Sequence, residues 1–162
     1  MRKAIVSGAN GFVGSAVVKE LISQGYEVYA LVRENHYDQV PINEMVRIVP
    51  FSLENIEALG EVIPINEYEA FYHFAWNGSA GVDRADTALQ LKNAQWTVEC
   101  LQLAKRLGCK RFVPAGSIME HETIAAIYTQ GNRPGAGYIY GSGKVAAHMM
   151  CMSMAVKEGI DL

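Results

Sequence analysis

The chain has 162 residues, half of them apolar, which suits one domain with a sizeable core. Fourteen Lys and Arg against 17 Asp and Glu give a formal net charge of -3 with no run of like charge, so neither nucleic acid nor an anionic membrane finds a cationic surface. The opening MRKAIVSGANG holds only Ala4 to Val6 as an apolar stretch before Ser7 and Gly8, too short for a signal peptide or a membrane span, and the expected address is the cytoplasm. Cys100, Cys109 and Cys151 are odd in number and lack the close pairs of a metal site, so they are expected to be buried, reduced thiols.

Short β-branched runs alternate with longer segments of helical period, the pattern of a parallel sheet with helices on both faces. The first predicted strand, Lys3–Ser7, leads through Ser7-Gly8-Ala9-Asn10-Gly11-Phe12-Val13-Gly14 into a predicted helix over Phe12–Gln24. Glycines spaced GxxGxxG between a strand and a helix predict a dinucleotide-binding turn. Gly8 permits the bend, Gly11 lets the backbone approach a pyrophosphate, and Gly14 lets the helix pack close to the strand. The helix N-terminus adds free N–H groups and partial positive charge.

The second strand, Glu27–Val32, carries Val32 where an acid usually takes the ribose hydroxyls, and Arg33 follows it. Arg33 tilts the cofactor toward NADP, and a ribose contact from Glu34 keeps NAD open. Val46–Pro50 is the third strand, followed by Ser52, Leu53 and a predicted helix over Leu53–Ile63. Ala70–Phe74 is the fourth strand, and the next predicted helix spans Asp83–Leu107, ending at Gly108 as helices do. Arg111–Ala115 is the fifth, running into Gly116-Ser117. Ser117 thus stands at the carboxyl end of a parallel strand, placed to hydrogen-bond a substrate carbonyl or alcohol oxygen. Glu120-His121-Glu122 is expected in an extended loop flanking the substrate, with Glu120 a candidate sugar-hydroxyl acceptor and no metal role. Gly131–Gly137 is expected to be a flexible loop.

The last predicted helix, Ile139–Glu158, carries Tyr140 and Lys144 four residues apart and therefore on one face. A free phenol has a pKa of ~10, and a neighbouring ammonium stabilises the phenolate it must pass through as an acid/base. The stretch from Val145 to Val156 is apolar on more than one face, which calls for cover on both sides. Gly159–Leu162 looks like the opening of a sixth strand, so the chain is expected to be the N-terminal, dinucleotide-binding part (1–162) of a longer enzyme.

With these motifs in place the sequence resembles an extended short-chain dehydrogenase/reductase of the NAD-dependent epimerase/dehydratase family. Ser7–Gly14 resembles that family's TGATGFIG turn, Tyr72-His73-Phe74-Ala75 its HxAA, Asn93 with Thr97 its NVxGT, and Leu103–Val113 its helix-to-strand run. The resemblance implies a Rossmann-type doubly wound sheet here lacking its C-terminal substrate part. It implies a pyrophosphate on Gly8, Asn10, Gly11, Phe12, Val13 and Gly14, adenine contacts near Ser52 and Leu53, and a nicotinamide beside Phe74, Ala75 and Trp76. Asn93 would steady the active-site helix, Ser117 polarise the substrate, Tyr140 act as acid/base, and Lys144 serve as its electrostatic partner and ribose ligand. It also implies a nucleotide-sugar substrate and a homodimer. The rival reading is a non-catalytic NAD(P)-sensing module that acts through a partner, for which the Ser117, Tyr140 and Lys144 set would be superfluous.

Overall fold

The computed structural model describes residues 1–129 and 135–162. Along β1 (Arg2–Ser7) and β2 (Tyr26–Val32) the apolar side chains divide by strict alternation. Ala4, Val6, Val28, Ala30 and Val32 enter one core, and Ile5, Tyr29 and Leu31 the other. Strands apolar on both sides must be covered on both faces. Helix α1 (Phe12–Ser23) closes the first core with Val18 and Leu21, while α3 (Thr87–Leu107) and α5 (Gly137–Glu158) close the second with Leu101, Leu103, Leu107, Cys151 and Ala155.

The remaining strands are β3 (Val46–Pro50), β4 (Ala70–His73) and β5 (Phe112–Pro114), and all pairings are parallel in the order β3-β2-β1-β4-β5. The chain winds outward from β1 to β3, then crosses back to β4 on the other side of β1. The carboxyl ends of β1 and β4 therefore flank the topological switch point, where doubly wound sheets bind ligands. Beyond α5, Asp161 forms a parallel bridge to Arg111 beside β5, and Phe112 N–H donates to its carbonyl at 2.8 Å. Of the sixth strand expected at Gly159–Leu162, this single bridge at Asp161 is what the structure forms.

Three expected elements differ in detail. Leu53–Ile63 is a 3-10 turn (Leu53–Asn55) followed by the four-residue α2 (Leu59–Val62), since the buried Leu53, Ile56, Leu59 and Ile63 run mostly at a spacing of three that a tight turn satisfies as well as an α-helix. Asp83–Leu107 is divided at Asp86, whose carboxylate accepts from Leu89 N–H at 3.0 Å and caps α3; a 3-10 turn, Gly81–Ala85, precedes it. The segment holding Glu120-His121-Glu122 is not extended. It belongs to α4 (Ile118–Ile127), started by a capping box in which Ser117 and Glu120 bond each other's end of the first turn. Of the expected loop Gly131–Gly137, residues 131–134 lie outside the described residues, and Gly137 already begins α5. Cys100, Cys109 and Cys151 are buried, and burial raises all three thiols, Cys109 to about 12 and Cys151 to about 11, which leaves them inert.

Candidate dinucleotide and proton-transfer site

One half of the site is built from backbone. Gly8 has φ +67°, and a Cβ there would stand 2.8 Å from the Ala75 nitrogen and the Phe74 carbonyl carbon, so both its conformation and the close passage of the chain after β4 require glycine. A Cβ on Gly14 would approach the Gly8 carbonyl oxygen to 2.1 Å. Gly11 begins α1 in an extended conformation with no side-chain cap, and the first helical bond runs from Ser15 N–H to Gly11 O at 2.9 Å. The amides of Phe12, Val13 and Gly14 are thereby left as free donors at a positive helix end. That donor set, edged by a glycine, fits a pyrophosphate.

The neighbouring candidates differ in how occupied they are. Asn10 turns its side chain to the segment after β2, donating to Asp38 Oδ1 at 3.0 Å and accepting from Gln39 N–H at 2.7 Å. Arg33, exposed one residue beyond β2, makes no side-chain hydrogen bond or ion pair among the described residues. Ser52 spends its hydroxyl on Glu54, donating to the carboxylate and accepting from Glu54 N–H at 3.3 Å; Leu53 is buried in the core. The Ser52 bond holds the Glu54 carboxyl below its usual range. Glu54 Oε1 in turn accepts from Asn77 Nδ2 at 3.4 Å, which ties the β3 end of the cleft to the β4 end.

The other half is built from side chains that cross between elements. Ser7 and His73 are register partners on β1 and β4, joined by Oγ to Nδ1 at 2.8 Å. Ala75 N–H donates to Ser7 Oγ, and Thr97 donates to Asn93 O, so the Ser7 hydroxyl gives its proton to Nδ1 and the Thr97 oxygen accepts from Nε2–H at 3.4 Å. His73 is neutral in this chain of bonds, with burial and the Lys144 charge depressing it to about 3. Asn93, buried in α3, clamps the backbone of Asn77 by accepting from its N–H at 2.9 Å and donating to its carbonyl at 2.7 Å. Gln90, one turn earlier, accepts from the Trp76 indole at 2.8 Å and donates to Gly78 O and Asp83 O. Phe74, Ala75 and Trp76 thus leave β4 along a path fixed from both sides.

Over Trp76 lies Lys144, its Nζ 3.7 Å from the ring centroid and donating to Ala115 O at 3.0 Å. Burial lowers Lys144 to about 8, opposed by the carboxylate of Glu120. Tyr140 meets the Trp76 ring edge-on at 5.9 Å between centroids, with Lys144 Nζ 5.9 Å from its own centroid and the Arg84 guanidinium 4.4 Å over its face. Ser117 caps α4 by accepting from Met119 N–H at 3.2 Å, which leaves its own proton available to a ligand. Lys144 therefore joins the Tyr140 group to the strap Ala115–Ser117.

The structure brings together Trp76, Tyr140 and Lys144, and sets Phe74 and Ala75 directly against Gly8. Arg33 and Ser52 stand apart, at the β2–β3 side of the sheet. Glu120 already uses both carboxylate oxygens within the protein. Its Oε1 accepts from Ser117 N–H at 2.7 Å and its Oε2 pairs with His148 Nδ1 at 2.7 Å. The capping-box spacing Ser117-x-x-Glu120 announces the first of these bonds; no sequence signal announces Gln90, Arg84 or His148.

Fold and switch-point site together define a doubly wound, dinucleotide-binding protein. A model of the NAD dependent epimerase/dehydratase family matches residues 4–162, and the chain belongs to that family. Among curated relatives, it is 29% identical over 119 residues to the dTDP-6-deoxy-L-talose 4-dehydrogenase (NAD(+)) of Aggregatibacter actinomycetemcomitans, covering 72% of this chain and 42% of that one. To UDP-glucuronic acid decarboxylase 1 of Arabidopsis thaliana it is 28% identical over 169 residues, covering 99% of this chain and 38% of that protein. The fold matches the UDP-glucose 4-epimerase of Thermotoga maritima, solved with UDP-glucose, at a TM-score of 0.76 and 22% identity, covering 98% of this chain and 52% of that one. The chain thus spans about half the length of the solved relative and less of the curated ones. Among the described residues no helix is long and apolar enough to cross a membrane.

Proposed function

We propose that this chain is the dinucleotide-binding part of an enzyme that oxidises or reduces a hydroxyl- or keto-bearing carbon of a nucleotide-linked sugar. The observation that carries the reading is the meeting of Tyr140, Lys144 and Trp76 at the end of β4, next to the glycine turn. A bound nicotinamide dinucleotide would supply the hydride acceptor or donor. Gly11, Phe12 and Val13 would hold its pyrophosphate by backbone N–H groups, and Phe74 to Trp76 would line its reactive end. Arg33, exposed and free of a carboxylate partner among the described residues, favours a 2′-phosphate and hence NADP.

The residues divide the work. Tyr140 takes or gives the proton at the substrate oxygen. Ser117 donates its free hydroxyl proton to the same oxygen and polarises it. Lys144 keeps a positive charge beside the phenol while its bond to Ala115 fixes the strap that delivers Ser117. Asn93 and Gln90 hold the Trp76 loop to α3 and so act through position alone. A homodimer is the expected assembly, supported by the exposed Met149, Met150, Met152 and Val156 on α5 and Leu91 on α3.

Two measurements test the reading. Calorimetric titration with NADPH and NADH is expected to give heat with both and tighter binding of NADPH; no heat with either defeats it. In the natural full-length polypeptide, Tyr140→Phe is expected to lower turnover of a nucleotide sugar by at least ~100-fold, the scale of a lost general acid. Unchanged turnover removes Tyr140 from the role.

A further inference from the structure

The strap Ala115-Gly116-Ser117 is held at both ends by side chains from α5 and α4. Lys144 Nζ donates to Ala115 O at 3.0 Å, and Glu120 Oε1 accepts from Ser117 N–H at 2.7 Å. Gly116 between them runs so close to the carboxylate that a Cβ would lie 3.3 Å from Glu120 Oε1. The other oxygen, Oε2, meets His148 Nδ1 at 2.7 Å. His148 stands four residues after Lys144, one turn along the same face of α5. The result is a closed ring: α5 through Lys144 to Ala115, along the strap to Ser117, through Glu120 to His148, and back to α5. Glu120, Lys144 and His148 line one cavity of about 350 Å³ with His73 and Trp76.

We propose that Glu120, backed by His148, is the positioning residue of this site, fixing Ser117 through one oxygen and setting a negative charge opposite Lys144. The role assigned to Ser117 and Lys144 rests on the hydride-transfer reading; the way they are held does not. A buried ammonium over an indole ring has lost most of its water, and desolvation favours the neutral amine. Among the described residues, Glu120 is the titratable group around it that opposes this: His73 on β4 is neutral, Arg84 in the turn before α3 is cationic, and Tyr140 and His148 share its helix. Lys144 needs its proton to steady a phenolate, so removing the carboxylate charge weakens the pair without touching Tyr140.

The test follows the side-chain NMR titration of Lys144 and amide exchange at Ser117. Glu120→Gln keeps an acceptor for Ser117 N–H and removes only the charge. It is expected to move the Lys144 midpoint downward and leave Ser117 protected. Glu120→Ala is expected to move the midpoint the same way and to speed Ser117 exchange about tenfold, the loss of one charge-assisted hydrogen bond. Should a Glu120 variant not fold, His148→Ala, which cuts the tie to α5, is expected to speed Ser117 exchange as well. An unmoved Lys144 midpoint in Glu120→Gln, or unchanged Ser117 exchange in Glu120→Ala or His148→Ala, overturns the proposal. Neither readout needs turnover, so its failure is distinct from a failure of the Tyr140→Phe experiment.

Discussion

The two halves of the cleft solve the same problem with different materials. The β1–α1 half offers backbone N–H groups, and its side chains matter chiefly by being absent: Gly8 and Gly14 are placed where any Cβ strikes main-chain atoms. The β4–β5–α5 half offers side chains, each positioned by a partner from another element, as in Trp76 by Gln90, the Asn77 backbone by Asn93, and Lys144 by Ala115. The first is rigid because it has no freedom to lose. The second is rigid only while its contacts hold, and it carries buried ionisable groups whose state changes with pH.

The backbone half is most sensitive at Gly14. Gly14→Val drives a side chain into the Gly8 carbonyl, and the expected cost is about 3 kcal/mol or more in denaturant unfolding, with loss of dinucleotide binding. A folded, binding-competent variant contradicts the backbone account of that half.

The side-chain half is expected to fail by acid instead. His73 is depressed to about 3 from an ordinary 6.5, so below pH 6.5 the unfolded chain gains a proton that the folded chain refuses until about pH 3. Stability present above pH 6.5 is then lost as pH falls, by roughly 1.4 kcal/mol per unit. Urea unfolding at pH 7 and pH 5 is expected to show a drop that His73→Gln reduces by about 2 kcal/mol. An identical drop in both proteins sinks the assignment.

Lys144 gives a smaller effect of the same kind. Burial lowers it from 10.5 to about 8, so at neutral pH the folded chain bears the cost of a desolvated ammonium, and between pH 8 and 10.5 stability rises as that proton leaves. Lys144→Met is expected to be more stable than the wild type by about 1 kcal/mol at pH 7, after the lost Ala115 bond and ring contact are allowed for, and less stable than it by pH 10.5, because the wild type gains about 3 kcal/mol over that range. A gap that stays constant across that range shows the cost is not electrostatic. The smallest effect belongs to Ser52→Ala, which removes the cap of a three-residue turn and is expected to cost about 0.5 kcal/mol in thermal or urea unfolding.

This division also explains what could be read from the sequence. The glycine turn, the five strands and the fourfold spacing of Tyr140 and Lys144 are local patterns, and local geometry alone realises them. Gln90 carries no such signature: it is a polar residue in a helix until the fold brings the Trp76 indole to it. Arg84 over Tyr140 and His148 against Glu120 likewise depend on elements far apart in the chain. The start of α4 differs in kind, since Ser117-x-x-Glu120 is a local helix-start signal that the alternation of Glu, His and Glu conceals. The division of Asp83–Leu107 turns on Asp86 acting as a cap, a choice between helix interior and helix start that periodicity does not make.

If both halves serve one ligand, the amides of Gly11, Phe12 and Val13 and the Trp76 indole N–H, followed by NMR during a titration with NADPH, are expected to move along one saturation curve with a single dissociation constant. Movement of the glycine-turn amides with the Trp76 signal still, or separate curves for the two sets, would contradict a shared ligand.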